Sequence, residues 1–285
     1  MALLTQFLLR LSFGLAVGMG ITSSRQVTSG YFRNHLYVTL GLATLAAMVS
    51  YAAVPGAFWY AIGAAVASYI GSACWLYEKA AAGKIALVVV ALCSVFGAIE
   101  ISADQWLARE DGVMLERYFP SHANGRTADQ STDEYIAVAS LLWGGWAAWL
   151  TAFSNLSSGL LLGITTAAML LGHWYLNSPT MELAPLRRLL VAMGIAVAIQ
   201  AFVSAIGFGG EVQYAHGITT PWLLFVLLRW CFGLLGVAAL IWMAWQTLKI
   251  PNTQSATGIL YVAVIGVFVG ELAGLLLSAE SSFPL

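Results

Sequence analysis

The chain has 285 residues, of which 60% are hydrophobic and 9% charged, with a mean hydropathy of +0.83. Water-soluble domains carry about 25% charged residues, so this composition excludes a soluble globular fold. Twelve Lys and Arg against thirteen Asp and Glu leave a net charge of −1, which gives no basic surface for a phosphate backbone and sets nucleic acid aside as a partner.

A spanning helix needs about 20 mostly apolar residues, because in hydrocarbon only a helix or a closed barrel satisfies its own backbone. The apolar runs here are too long and too little alternating for barrel strands. They predict an all-α, polytopic transmembrane bundle of about nine spanning helices, at roughly 3–22, 35–54, 56–77, 84–103, 135–153, 157–177, 186–208, 220–247 and 255–278. The whole chain, 1–285, reads as one integral membrane domain of an inner or plasma membrane.

The first run lacks a charged n-region and carries Arg10 inside its apolar stretch, which reads as a permanent helix rather than a signal peptide. Val54-Pro55-Gly56 separates the second run from the third. Ser154-Asn155 is expected to separate the fifth from the sixth, and Asn177-Ser178-Pro179 with Pro185 the sixth from the seventh. Ile250-Pro251-Asn252 marks the last turn.

Between the fourth and fifth runs, 104–134 holds Asp104, Glu110, Asp111, Glu116, Asp129, Asp133 and Glu134 against Arg109, Arg117 and Arg126. This acidic extramembrane loop is either a solvated cap or a dock for a basic soluble partner such as an electron carrier. Lys and Arg concentrate in short cytoplasmic loops, and nine crossings conflict with that rule. They place Arg25, Arg33, Lys79 and Lys84 on one face and Arg187, Arg188 and Lys249 on the other. Either one helix is miscounted or the two halves are related by inversion, as in some transporters.

Glycines four apart, Gly14 with Gly18, Gly159 with Gly163, and Gly266 with Gly270 and Gly274, stack small residues on one helix face and predict close helix packing. Trp143, Trp146 and Trp149 form an aromatic stripe, read as packing or as a wall for a flat ligand. Cys74, Cys93 and Cys231 sit in apolar runs without CxxC or CxxCH spacing, so no disulfide, thiolate metal site or covalent haem is expected.

Ionisable residues at depth cost roughly 2.5–3.5 kcal/mol each and are functional candidates by default. Arg10, Glu100, His173, Arg229 and Glu271 lie in or near apolar runs, with Gln200 as an uncharged hydrogen-bonding group. Arg10 and Glu100 are near enough to helix ends for snorkelling to account for them. His173, followed by Trp174 and Tyr175, is a candidate for quinone contact, proton transfer or haem ligation, against the plainer reading of a buried neutral imidazole. A b-type haem is disfavoured, because His35, His122 and His216 fall at a helix start or in loops; a haem near a surface needs His35 and His216 to share a face. Depth matching across the predicted hairpins puts Gln200, Arg229 and Glu271 at one level, and predicts a buried Gln200–Arg229–Glu271 cluster.

No GxxxxGK[ST], GxGxxG after a strand, GxSxG or HExxH is present, so neither ATP-driven work nor a hydrolase site is expected in this chain. Two functions remain. The first is a membrane subunit of a redox or respiratory-type assembly, packed against other membrane subunits, with the polar cluster for quinone contact or proton transfer. The second is a secondary transporter for a small solute or ion. The sequence favours the first, since its prolines sit in turns rather than interrupting helices at a binding site. Whether the chain catalyses a reaction is left open.

Overall fold

The computed structural model describes the backbone of residues 1–110, 130–178, 180–214, 219–250 and 252–281, and the side chains of these except 103–110, 130–148, 214 and 280. It is helical throughout, with no strand among the described residues. The elements are α1 (Ala2–Ile21), α2 (Ser29–Ala53), α3 (Pro55–Leu76), α4 (Ala80–Glu110), α5 (Gln130–Asn177), α6 (Ala184–Tyr214), α7 (Thr220–Leu228), a π-helical segment (Arg229–Gly236), α8 (Val237–Lys249) and α9 (Thr253–Glu280). The segment α7–π–α8 runs without a reversal and forms one span, Thr220–Lys249.

The sequence punctuates these helices by ordinary chemistry. Pro55 opens α3 at a position where its missing N–H costs nothing, with only Val54 between it and the end of α2. Thr219 and Asn252 cap α7 and α9 by accepting hydrogen bonds from the backbone N–H of Trp222 and Ser255. Glu78 takes a left-handed φ of 57° in the tight turn between α3 and α4.

Eight helices are long and apolar enough to cross a membrane among the described residues. The expected break at Ser154-Asn155 is absent, because α5 is one continuous helix of 48 residues, about 72 Å at 1.5 Å per residue. Ser154 and Asn155 are buried within it, and the Asn155 side chain serves Arg10 of α1 and Ser102 of α4 rather than a turn.

The lower count resolves the charge conflict. With eight crossings, Arg25, Arg33, Lys79, Lys84, Arg187, Arg188 and Lys249 all lie at the same end of the bundle. Contacts agree with that parity. Gln26 Nε2 donates to Glu182 at 2.5 Å, Trp174 Nε1 to Thr28 at 3.0 Å, and Arg187 to the Leu248 carbonyl at 3.0 Å. Trp75, near the α3–α4 turn, stacks on Phe32 with ring centroids 4.1 Å apart. The opposite end is tied by Gln6 to Ser102 and by Trp222 to Ser281. The two four-span blocks therefore run in the same sense, and an inverted relation between them is not needed.

α1 is the axis of the bundle, packing on α2, α4 and α5, and α5 in turn packs on α6 and α9. The crossing of α1 and α5 is backbone on backbone. A Cβ on Gly14 would lie 1.8 Å from the Gly159 carbonyl oxygen, and one on Gly163 would lie 2.0 Å from the Gly14 carbonyl carbon. Two of the glycine pairs recognised in the sequence thus pack against each other, which is how small residues replace a hydrophobic driving force in lipid. A second such crossing joins Gly233 of the π-helical segment to Gly270 of α9.

Candidate functional site

One turn from the α1–α5 glycine crossing, the same helix faces turn polar. Gln6 and Arg10 are four apart on α1, and Asn155 and Ser158 three apart on α5, so each pair shares a face. Close approach brings those faces together: a Cβ on Gly159 would stand 3.1 Å from the Arg10 carbonyl oxygen. Arg10 donates to Ser158 Oγ at 3.2 Å and makes a second, very short bond to Asn155 Oδ1. Asn155 Nδ2 donates to Ser102 Oγ of α4 at 2.6 Å, and Gln6 Nε2 reaches the same hydroxyl at 2.6 Å.

Arg229, Glu271 and Gln200 lie around this core. Arg229, the first residue of the π-helical segment, donates to the Gly270 carbonyl at 3.0 Å and to Ser204 Oγ of α6 at 3.2 Å. Its NH1 is 3.7 Å from Glu271 Oε1, an ion pair rather than a hydrogen bond. Glu271 instead accepts a short hydrogen bond from Ser158 Oγ, the hydroxyl that Arg10 also uses. Gln200 accepts a short bond from Ser157, the neighbour of Ser158, and no hydrogen bond joins it to Arg229. The link to Arg229 from α6 comes through Ser204, one turn further along.

The result is one buried polar network across α1, α4, α5, α6, the π-helical segment and α9. Arg10 is 8% exposed, Arg229 2%, Glu271 3% and Gln200 0%. Arg10 lies eight residues from the start of its span, Arg229 nine from the start of its own, and Glu271 eight from the end of its own. The network is therefore about 12–14 Å inward from the end opposite the basic face. Charges at such depth persist only when hydrogen-bonded and paired. Here two guanidinium groups share one carboxylate, and their direct hydrogen-bond partners are all neutral. Arg10 Nε and Gln200 Nε2 are buried with no protein partner.

Gln6 is absent from the sequence candidates, and Arg10 is among them only as a residue that snorkelling accounts for. Arg10 does not snorkel, since its guanidinium turns inward to α5. The available signal was the matched polar spacing on α1 and α5, each next to a glycine pair. Glu100 is half-buried, with its carboxyl against Gly56 of α3.

The second candidate group lies at the basic end. His173 is exposed, not buried, and its Nδ1 is 3.2 Å from the Tyr261 hydroxyl. Trp174 is held by Thr28 and packs edge-on against Tyr31, and buried Tyr175 donates a short bond to the Glu182 carbonyl. These two contacts tie loops to helices. His35 bonds the Tyr31 carbonyl at 2.5 Å near the basic end. His122 and His216 themselves lie outside the described residues, as do residues 111–129 and the side chains of Trp143, Trp146 and the whole acidic 104–134 stretch, whose described ends, 104–110 and 130–134, continue α4 and α5 as helix. Trp149 is exposed. No cluster of three or more metal-ligating side chains occurs among the described residues. No family model, curated protein or solved structure matches the chain.

Proposed function

We propose that the chain is a secondary transporter for a small solute, with the Arg10–Arg229–Glu271 network as its binding site. The observation that carries this reading is the π-helical interruption of a spanning helix at the network itself. Transporter sites form where a spanning helix departs from regular α geometry and its backbone groups and side chains are freed for a ligand, and π-helical turns concentrate at functional sites. The proline pattern in the sequence conceals this, because the π-helical segment holds Gly233 and Gly236 and no proline. Ser204 and Gly270 hold Arg229 at its first residue, so a change in local winding moves a charged group on the site.

The test is flux. The purified chain, reconstituted into liposomes, is expected to exchange a small solute across the bilayer, and Arg229→Lys is expected to reduce the rate at least ten-fold by losing the fork that spans Ser204 and Gly270. His173→Ala is expected to leave flux unchanged. A Soret band or co-purifying redox subunits, with no solute flux, would overturn the transporter reading in favour of the redox-assembly subunit, and flux that depends on His173 but not on Arg229 would move the site away from the network.

A further inference from the structure

The charge inventory of the network points to the class of its ligand. Arg10 and Arg229 bring two fixed positive charges, since guanidinium stays protonated in proteins, and Glu271 brings one carboxyl. The remaining members, Gln6, Ser102, Asn155, Ser157, Ser158, Gln200 and Ser204, are neutral. Glu211 of α6 is buried seven residues beyond Ser204, about 10 Å further toward the outer end of that helix. Among the described residues the network is thus one negative charge short, at a depth where unbalanced charge is expensive.

Its hydrogen bonding is unbalanced in the same direction. Arg10 Nε and Gln200 Nε2 are both donors, both more than nine-tenths buried, and both without a protein acceptor. They approach α5 at adjacent residues, Gln200 through Ser157 and Arg10 through Ser158. A buried donor left unpaired costs about 1–3 kcal/mol, so two beside an excess positive charge are an arrangement that an anionic acceptor relieves. The Nε edge of a guanidinium presents parallel N–H groups that suit a planar, two-oxygen anion better than a spherical halide.

We infer that the network binds a small, planar, monovalent oxyanion of the carboxylate or nitrate kind, held by Arg10 and Gln200 against the Ser157–Ser158 step of α5. This assignment rests on the proposed binding site and names the substrate class of the transporter. A monovalent anion brings the three charged groups plus ligand to neutrality. A dianion overshoots, and a cation adds to the excess.

The experiment separates binding from flux. The full chain in mild detergent is titrated with acetate, nitrate, chloride, methylammonium or glycerol at constant ionic strength, with melting followed by intrinsic tryptophan fluorescence. Acetate and nitrate are expected to raise the melting temperature saturably, and chloride at least ten-fold more weakly. Arg10→Gln and Gln200→Leu are each expected to weaken oxyanion binding about ten-fold or more. Gln200→Leu keeps every charge and so reports even where Arg10→Gln does not fold. Glu271→Gln is expected to tighten binding, because it removes the competing carboxylate.

Binding by glycerol or methylammonium alone, unchanged affinity in both Arg10→Gln and Gln200→Leu, or weaker binding in Glu271→Gln would overturn the anion assignment while the transporter reading stood. Oxyanion binding without flux would uphold the assignment and overturn the transporter reading. No binding by any probe, with no flux, would overturn both.

Discussion

Arg229 and Glu271 stand 3.7 Å apart, each almost wholly buried, on helices whose backbones touch at Gly233 and Gly270. The pair is asymmetric. Glu271 also shares Ser158 with Arg10, so removing Arg229 leaves the carboxylate near a second cation, whereas removing Glu271 leaves two guanidiniums with no counter-charge. Breaking a buried pair from one side costs about 3–5 kcal/mol. Glu271→Met is therefore expected at the upper end of that range and Arg229→Met at the lower. The double mutant is expected to lose at least about 1 kcal/mol less than the sum of the two. Denaturant titration of the three variants measures this, and additive losses would mean that the two groups are not coupled.

The α1–α5 crossing leaves no room for a methyl group. Gly14→Ala would place a Cβ 1.8 Å from the Gly159 carbonyl oxygen, backbone that cannot swing aside. Overpacking of this kind costs about 1–3 kcal/mol or more, and it also spreads the faces that carry Arg10 and Asn155. Gly14→Ala is expected to lower both the melting temperature and the yield of folded protein. Gly41→Ala, where nothing lies within 4 Å, is expected to change neither. Equal behaviour of the two variants would mean that the crossing is looser than its geometry.

The helical class, the glycine contacts and the common depth of Arg229 and Glu271 were legible because each follows from local spacing along one helix or hairpin. Asn155 shows where legibility ended. A polar pair inside an apolar run has the composition of a turn, and only its partners, Arg10 at 145 residues' separation and Ser102 at 53, reveal an inward face on a continuous helix. A turn at that pair adds a crossing and sets the basic residues of the two halves against each other. Arg10 does not stand out for the complementary reason: its distance to a helix end is visible in the sequence and its acceptors on α5 are not.

Orientation follows from the eight spans among the described residues. The end carrying Arg25, Arg33, Lys79, Lys84, Arg187, Arg188 and Lys249 is expected to face the cytoplasm. With Cys74, Cys93 and Cys231 replaced by alanine, Lys79→Cys and Arg188→Cys are expected to resist a membrane-impermeant maleimide in intact cells. Thr219→Cys, exposed at the start of α7, is expected to react. The reverse pattern would invert the protein, and opposite accessibility of residues 79 and 188 would restore a ninth crossing.

The π-helical segment depends on Gly236. In its widened turn the carbonyl oxygen of Cys231, five residues back, lies 2.9 Å from where a Cβ on Gly236 would sit, too close for any side chain without a shift. Alanine there forces the turn to rewind. Val237, at its far end, is fully buried against the core, so α8 is anchored and the adjustment falls on the stretch back toward Arg229. Arg229 is held by oriented bonds to Ser204 and the Gly270 carbonyl, and a displacement of about 1 Å is enough to break such bonds. Gly236→Ala is expected to cost about 1–3 kcal/mol and to reduce solute flux far more than the small loss of folded protein explains. Gly258→Ala on α9, with open space around it, serves as the control and is expected to behave as wild type. Wild-type flux from Gly236→Ala would mean that the π-helical turn is only a packing device and that the site does not depend on it.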